Sequence, residues 1–379
     1  MNGHVTKKGD RYYVVLELSA DPETGRRRRK WHSGFAKKAD AKEELVRLLN
    51  DAQKGVYIEP TKLTVREFVD DQWLPGLERG NLRPGTVEMY RRSVKNRVLP
   101  DLGDLRLRDV TPARLSGWLG ELKADGVGDR TVEIAYVTAH KLLKSAVDLE
   151  LLPRNPADNS AVREARPKSS TKEPTVWTLK QTKKFLDSQR KDRLFALWRL
   201  ATMTGLRRGE LAGLRWADVD LDAGVLAVNV TRTVVGYEIV ESEPKTEKSK
   251  RTIGLDPATV TALKVHRRKQ AQEKMAHRDV WTETDCVFVD ELGVPYHPQR
   301  FTQMLAARAK AAKLPIIRLH ALRHGHATAA LEAGVPLKVV SERLGHASIA
   351  ITGDVYSHVR AAVDQAAALQ VAAAIDGGA

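Results

Sequence analysis

Between Arg318 and His358 the sequence RLHALRHGHATAALEAGVPLKVVSERLGHASIAITGDVYSH sets helical apolar periods between hard stops, and few arrangements satisfy that pattern. HALRHGHATAALEA predicts a helix closed by Gly334, and PLKVVSERL a second helix opened by Pro336 and ended by Gly345. His320 and Arg323, three residues apart, then share one face about a turn apart and could grip one small anion. His346 falls on the turn after a helix, and Ser348 is placed to cap the segment that presents Tyr356. Taken singly, each of these residues is equally an ordinary satisfied core residue. His320 and His324, an i, i+4 pair, also admit a metal, although no cysteine or carboxylate nearby offers a further ligand.

The rest of the chain narrows these options. A formal net charge of +15 and a pI near 9.8 call for a polyanionic partner, either nucleic acid or an anionic membrane. No apolar run reaches the roughly 20 residues that a spanning helix needs, and MNGHVTKKGDRYY lacks the apolar centre of a signal peptide. Nucleic acid in the cytoplasm is the expected partner, without a membrane. The single cysteine, Cys286, excludes intrachain disulfides and a cysteine-rich zinc module, in keeping with a reducing compartment.

At 379 residues the chain has room for two or three domains, and its punctuation places them. RYYVVLEL and the basic stretch RRRRKWHSG, joined by a DPETG turn, predict a hairpin; KKADAKEELVRLLNDAQKG predicts one helix behind it. Residues 1–58 thus form a small β-sheet plus helix. Arg26, Arg27, Arg28, Arg29 and Lys30, interleaved with Tyr12, Tyr13 and Trp31, suit a ribbon entering a DNA groove, where they would contact phosphates and guanine edges. Residues 61–156 read as four helices, beginning at the Thr64 cap of VREFVDDQW and closing at Pro153. Arg91, Arg92, Lys95, Arg97, Lys141 and Lys144 lie on their faces, as phosphate grips or as plain solvated surface. Residues 157–174, polar and without apolar period, read as a linker. Residues 175–379 mix helices with short strands (VLAVNV, TRTVV, YEIVE). There Arg207 follows the Gly205 break with Glu210 one turn on, and Lys245 lies near the tip of the hairpin EPKTEKSKRTIGL. The predicted class is multidomain, mainly α with small β elements.

TGLRRGEL (204–211), PKTEKSKRTIGL (244–255), LHALRHGHAT (319–328), LGHASI (344–349) and Tyr356 resemble, in that order, the active-site boxes of the tyrosine recombinases, the lambda-integrase-like family. The helical domain with its closing LLPRNPA is similar to that family's core-binding (SAM-like) domains, and the N-terminal module to the arm-binding domains of phage and mobile-element integrases. The resemblance implies a site-specific DNA recombinase, an integrase that integrates or excises a mobile element. Its six catalytic residues would be Arg207, Lys245, His320, Arg323, His346 and the nucleophile Tyr356, with no metal or other cofactor. It further implies double-stranded DNA with core and arm-type sites, a tetramer on DNA, and an excisionase and host DNA-bending protein as partners. It implies too a tail helix within RAAVDQAAALQVAAAI that docks on a neighbouring protomer. A resolvase or inversion enzyme, a relaxing topoisomerase and a non-catalytic DNA-binding regulator are the alternatives.

The chemistry of the residues agrees with that reading. Phosphodiester cleavage needs charge on the nonbridging oxygens neutralised and a positioned nucleophile supplied. Arg207 and Arg323 offer planar forks for the phosphate, with His346 adding a hydrogen bond. Tyr356 offers the attacking oxygen, His320 an acceptor for its proton, and Lys245 a proton for the leaving oxygen.

Overall fold

In the computed structural model of the chain the described residues are 2–17, 29–53, 62–167, 175–243, 250–346, 348, 349 and 353. The chain divides into two units, Met1–Ser170 and Thr171–Ala379. The first unit starts with an antiparallel sheet in the order β1 (Asn2–Lys8), β2 (Arg11–Glu17), β3 (Arg29–Phe35), backed by α1 (Lys38–Gln53). Alternation along β2 buries Val14 and Leu16 against Ala41 and Leu48 of α1. Val14 pairs with His32 and Leu16 with Lys30, so those two partners share the helix side, whereas Val15 opposite Trp31 and Glu17 opposite Arg29 belong to the opposite, open face, on which Val15 is itself buried while Trp31 and Arg29 are exposed. The register shifts once, between Tyr12 and Val14, next to Gly34, whose φ of +110° supplies the bulge.

Four helical runs follow. Thr64 caps the first through a reciprocal box: its hydroxyl accepts from the Glu67 amide at 3.2 Å, and its own amide donates to the Glu67 carboxylate at 2.8 Å. This run, α2 (65–79), does not end near Trp73 as the sequence suggests but continues through Pro75. Its counterpart α3 (84–102) likewise continues through Pro100. A five-residue π turn, Val69–Trp73 or Val94–Val98, stands immediately before each proline-containing turn. A proline ring crowds the carbonyl four residues back, and a wider turn relieves it. The π turn also aligns the core. Apolar residues at strict i+4 spacing walk round an α-helix by about 40° per step, and the wider turn takes that drift back. Val65, Val69, Trp73 and Leu77 are accordingly all buried.

Helices α4 (Pro112–Ala124) and α5 (Asp129–Asp148) complete the bundle, with Trp118 and Leu119 fully enclosed. The Trp118 indole donates to Arg97 O at 3.2 Å and to the Asp101 carboxylate at 3.1 Å, tying α4 to α3. One expectation needs correcting: not all of 157–174 is linker. Pro156–Asp158 forms a 3₁₀ turn and α6 (Ser160–Ala165) a short helix, and Ala157 and Val162 are buried in the four-helix core. Two buried residues in nine show no period, yet the Asn155 and Asn159 side chains, each accepting from an amide two residues on, stop the chain running free.

The second unit packs α7 (Leu179–Ser188), α8 (Phe195–Thr204), α9 (Arg208–Gly213), α10 (Pro257–Ala276), α11 (Pro298–Ala311), α12 (Leu319–Glu332) and α13 (Leu337–Leu344) with two small sheets. One sheet orders β4 (Val219–Asp220), β5 (Val225–Ala227) and β8 (Thr252–Gly254); the other is the hairpin of β6 (Thr231–Val235) and β7 (Glu238–Ser242). Phe185, Trp198, Phe288 and Phe301 form the aromatic centre of its core. Helix α9 lies directly on the backbone of this region because the residues it turns toward that backbone are glycines. A Cβ on Gly209 would come within 3.0 Å of Arg232 O, and one on Gly213 within 2.9 Å of Val230 O. That close approach carries Glu210, between them, into the interior.

Replacing Thr64 with alanine removes the hydroxyl half of the capping box, leaving only the bond from the residue 64 amide to the Glu67 carboxylate, and should cost about 1 kcal/mol locally. Native-state hydrogen exchange read by mass spectrometry should then show amides near the start of α2 exchanging about fivefold faster, with α5 unchanged.

Candidate active site

The site is assembled at helix ends. Helix α8 stops at Gly205, which takes the left-handed conformation with φ +64°. A Cβ there would meet Leu344, His326 and Arg323 at 2.7, 3.1 and 3.5 Å, so only glycine fits. Arg207, two residues on, is the N-cap of α9. Its amide donates to Glu210 Oε2 at 2.9 Å and its guanidinium to Glu210 Oε1 at 2.8 Å and to Gly345 O at 2.8 Å. Arg323 approaches from α12, buried, and donates through Nη1 to Gly205 O at 2.9 Å. His320 precedes it by one turn, its ring edge-on to His324 with centroids 4.8 Å apart. His346 is delivered by Gly345, the left-handed C-cap of α13 with φ +67°, and its amide closes onto Ser341 O at 3.1 Å.

Four of the six residues picked out in the sequence, Arg207, His320, Arg323 and His346, are thereby drawn into one electrostatic neighbourhood. Burial lowers the His320 imidazole to about 4, with the charges of His324, Arg323 and Arg207 adding to it and Glu210 opposing. Burial likewise lowers His346 to about 4, assisted by Arg323 and Arg207. Glu210 runs the other way. Burial by itself would raise its carboxyl, but hydrogen bonds and charge from Arg251, then the charge of Arg207, bring it down to about 2. Near neutrality the cluster therefore presents arginine cations, neutral imidazoles and one ionised carboxylate. Lys245 and Tyr356 lie outside the described residues, as does the tail.

Two neighbours were not singled out in the sequence. Arg251, at the entrance to β8, grips Glu210 at 2.9 and 3.1 Å and donates to Arg343 O at 2.7 Å. Nothing in KSKRTIGL separates it from the other basic residues beside it. His326, held to about 4 by burial and then by Arg343 and Arg323, keeps its Nε2 buried without a hydrogen-bond partner beneath Gly205. The His320–His324 pair gains no third ligand: among the described residues no three His, Cys, Asp or Glu side chains group to hold a metal.

The DNA-contact candidates divide. Arg29 belongs to the open sheet face, 3.6 Å from Glu17, beside the edge-on Tyr13–Trp31 pair at 6.0 Å. Lys30 shares the helix side and is half-buried. Arg26, Arg27 and Arg28 lie outside the described residues. In the helical bundle Arg92, Lys95 and Lys141 are exposed, while Arg91 is engaged by the carboxylates of Glu78 and Glu88. Among the described residues no helix is long and apolar enough to cross a membrane.

The pH dependence of stability follows from the histidines. His320, His326 and His346 take up protons near the ordinary 6.5 when unfolded but near 4 when folded, so the unfolded chain binds more protons in between. The stability they permit is complete above pH 6.5 and is lost as the pH falls from 6.5 toward 4. Urea unfolding of the second unit should show this slope, and His326→Gln should flatten it; an unchanged slope in that variant would remove His326 from the account.

Comparison with known proteins covers almost the whole length. The chain matches the Arm DNA-binding domain over residues 4–52, the Phage integrase N-terminal SAM-like domain over 64–123 and the Phage integrase family over 176–362. It is 30% identical over 369 residues to a "Tyrosine recombinase XerC-like" protein of Caldanaerobacter subterraneus subsp. tengcongensis, covering 93% of this chain and 94% of that one. An integrase of Streptomyces ambofaciens is 28% identical over 359 residues, 93% and 90% of the two chains. Among solved structures, the Tn1549 transposon integrase in complex with transposon right end DNA superposes with a TM-score of 0.67 at 21% identity, covering 82% of this chain and 100% of that one. A lambda integrase tetramer bound to a Holliday junction gives 0.56 at 17%, over 91% and 92%. With a relative at 30% identity along nearly its full length, and with the family's arm, SAM-like and integrase segments in order, the chain belongs to the phage integrase family of tyrosine recombinases.

Proposed function

We propose that this enzyme is the integrase of a mobile element, cutting and rejoining DNA at defined attachment sites through a 3′-phosphotyrosyl intermediate. The observation that carries the residue assignment is the convergence of Arg207, His320, Arg323 and His346, from three separated stretches, beside a buried ionised carboxylate. Arg207 and Arg323 clamp the nonbridging oxygens of the scissile phosphate, and His346 donates a hydrogen bond to the same group. The Tyr356 phenolic oxygen attacks phosphorus, forming the P–O–tyrosine bond as the bond to the 5′ oxygen breaks. His320 accepts the phenolic proton. Neutral at pH 7 in the free enzyme, it becomes more basic when the phosphate brings negative charge beside it. Lys245 protonates the departing 5′ oxygen. Rejoining reverses these steps with a 5′ hydroxyl of the partner strand, and the covalent link conserves the bond energy.

The modules take separate tasks in this reading. Residues 61–156 and 175–379 hold the core site, and residues 1–58 bind arm-type sites through the open sheet face with Arg29, Tyr13 and Trp31. Four protomers exchange strands pairwise, in line with the neighbour solved as a tetramer on a Holliday junction, with the C-terminal tail docking between protomers. An excisionase and a host DNA-bending protein set direction, and the enzyme works in the cytoplasm.

Tyr356→Phe removes one oxygen, so folding and DNA affinity should be kept while covalent adduct on a nicked suicide substrate disappears. Lys245→Ala should also fail on ordinary DNA, yet regain cleavage on a substrate with a 5′-bridging sulfur, which leaves without a proton. An adduct formed by Tyr356→Phe would move the nucleophile elsewhere, and sulfur rescue of both variants would deny Lys245 its role as acid.

Deletion of residues 1–58 should spare cleavage of core sites and abolish integration. A gel shift comparing the deletion with the full chain should lose the arm-site complex, and each phosphate that is no longer neutralised should flatten the log–log salt slope by roughly 0.9. Unaltered arm-site binding by the deletion would refute the assignment of that module.

A further inference from the structure

Glu210 is 3% exposed and serves two guanidiniums at once. Oε1 accepts from Arg207 Nη1 at 2.8 Å and Arg251 Nη1 at 3.1 Å; Oε2 accepts from the Arg207 amide at 2.9 Å and Arg251 Nη2 at 2.9 Å. The two arginines are not equivalent. Arg207 keeps 36% of its side chain exposed, whereas Arg251 keeps 6%. Arg251 is fixed further by donating Nε to Arg343 O at 2.7 Å and by the backbone of Gly345, where an added Cβ would lie 3.0 Å from its guanidinium.

Charge counting gives this arrangement a purpose. A carboxylate that orients a single arginine also cancels it, and a neutral Arg207–Glu210 pair would offer a phosphate a poor field. A second guanidinium on the same carboxylate leaves one unit of positive charge on the cluster. Because Arg251 is enclosed and Arg207 reaches the surface, that charge is presented at the Arg207 edge. We infer that Arg251 is a positioning residue for strand cleavage: by sharing Glu210 it lets the carboxylate aim Arg207 without neutralising it toward the scissile phosphate. The inference rests on the reading of Arg207 as a phosphate clamp.

The test compares a normal scissile phosphate with a methylphosphonate, in which a methyl group replaces a nonbridging oxygen and the linkage carries no charge. Single-turnover adduct formation is measured for the full-length wild type, Arg251→Gln, Arg251→Lys and Arg207→Ala, with thermal unfolding and core-site binding as controls. On phosphate, Arg251→Gln should slow adduct formation by about 10²-fold, the size of losing one preorganised donor, while on methylphosphonate the deficit should shrink to about threefold or less. Arg251→Lys keeps the charge without the fork and should fall between wild type and Arg251→Gln on phosphate. Equal slowing on both linkages, no slowing on phosphate, or Arg251 variants that cannot be obtained folded and binding the core site would each make Arg251 a stability element only and overturn the inference. Arg207→Ala separates the two levels. If its own deficit ignores the linkage charge, the clamp reading fails; if its deficit follows the charge and that of Arg251→Gln does not, only the present inference fails.

Discussion

A carboxylate enclosed in protein is tolerated only where cations answer it, and the catalytic unit is built around one such group. Glu210 reaches the interior because Gly209 and Gly213 let α9 lie against backbone, and it stays ionised because two guanidiniums saturate its oxygens. Removing a partner from a buried ion cluster typically costs about 3–5 kcal/mol, since the surviving charge is stranded. The cluster thus fixes more than one arginine. Arg251 reaches Arg343 O and Arg207 reaches Gly345 O, so the carboxylate, through its two partners, also sets where α13 ends and where His346 begins.

The C-terminal ends of helices supply much of the remaining frame. A helix leaves its last carbonyls without intrahelical donors, and here arginines fill those places. Arg343 donates to Met203 O near the end of α8 and Arg323 to Gly205 O just beyond it. Left-handed glycines at 205 and 345 turn the chain sharply enough for Arg207 and His346 to follow within two residues. Arg207, His320, Arg323 and His346 therefore sit on backbone held by hydrogen bonds rather than on long loops, which suits chemistry requiring several groups around one phosphorus atom.

Much of this was legible in the sequence, for a physical reason. Helix stops are local signals, so Gly205, Gly334, Pro336 and Gly345 announced where α8, α12 and α13 end or begin; Arg207 and His346 were singled out by their offsets from those stops, and His320 and Arg323 by their three-residue spacing within the helix that Gly334 closes. Pairings between distant segments leave no such trace. Arg251 lies 41 residues from Glu210 along the chain, and Arg91 lies 13 from Glu78. Thus one buried arginine looked like surface, and one candidate phosphate grip proved to be engaged by carboxylates. The end of the helical domain was misread for a related reason. Ala157 and Val162 bury well, but two side chains are too few to define a period.

The π turns in α2 and α3 have a consequence for how chains of this kind change over time. Each is, in effect, a helix that has absorbed one extra residue without ejecting a loop. Gaining or losing a single residue at Val69–Trp73 or Val94–Val98 would convert the turn between wide and ordinary winding, leaving both flanking segments in register with the core. Elsewhere in the same helices one inserted residue would rotate everything beyond it by about 100° and turn the buried stripe toward water. These two turns are therefore where homologous helices of unequal length can be expected to reconcile their numbering, with each proline marking the seam.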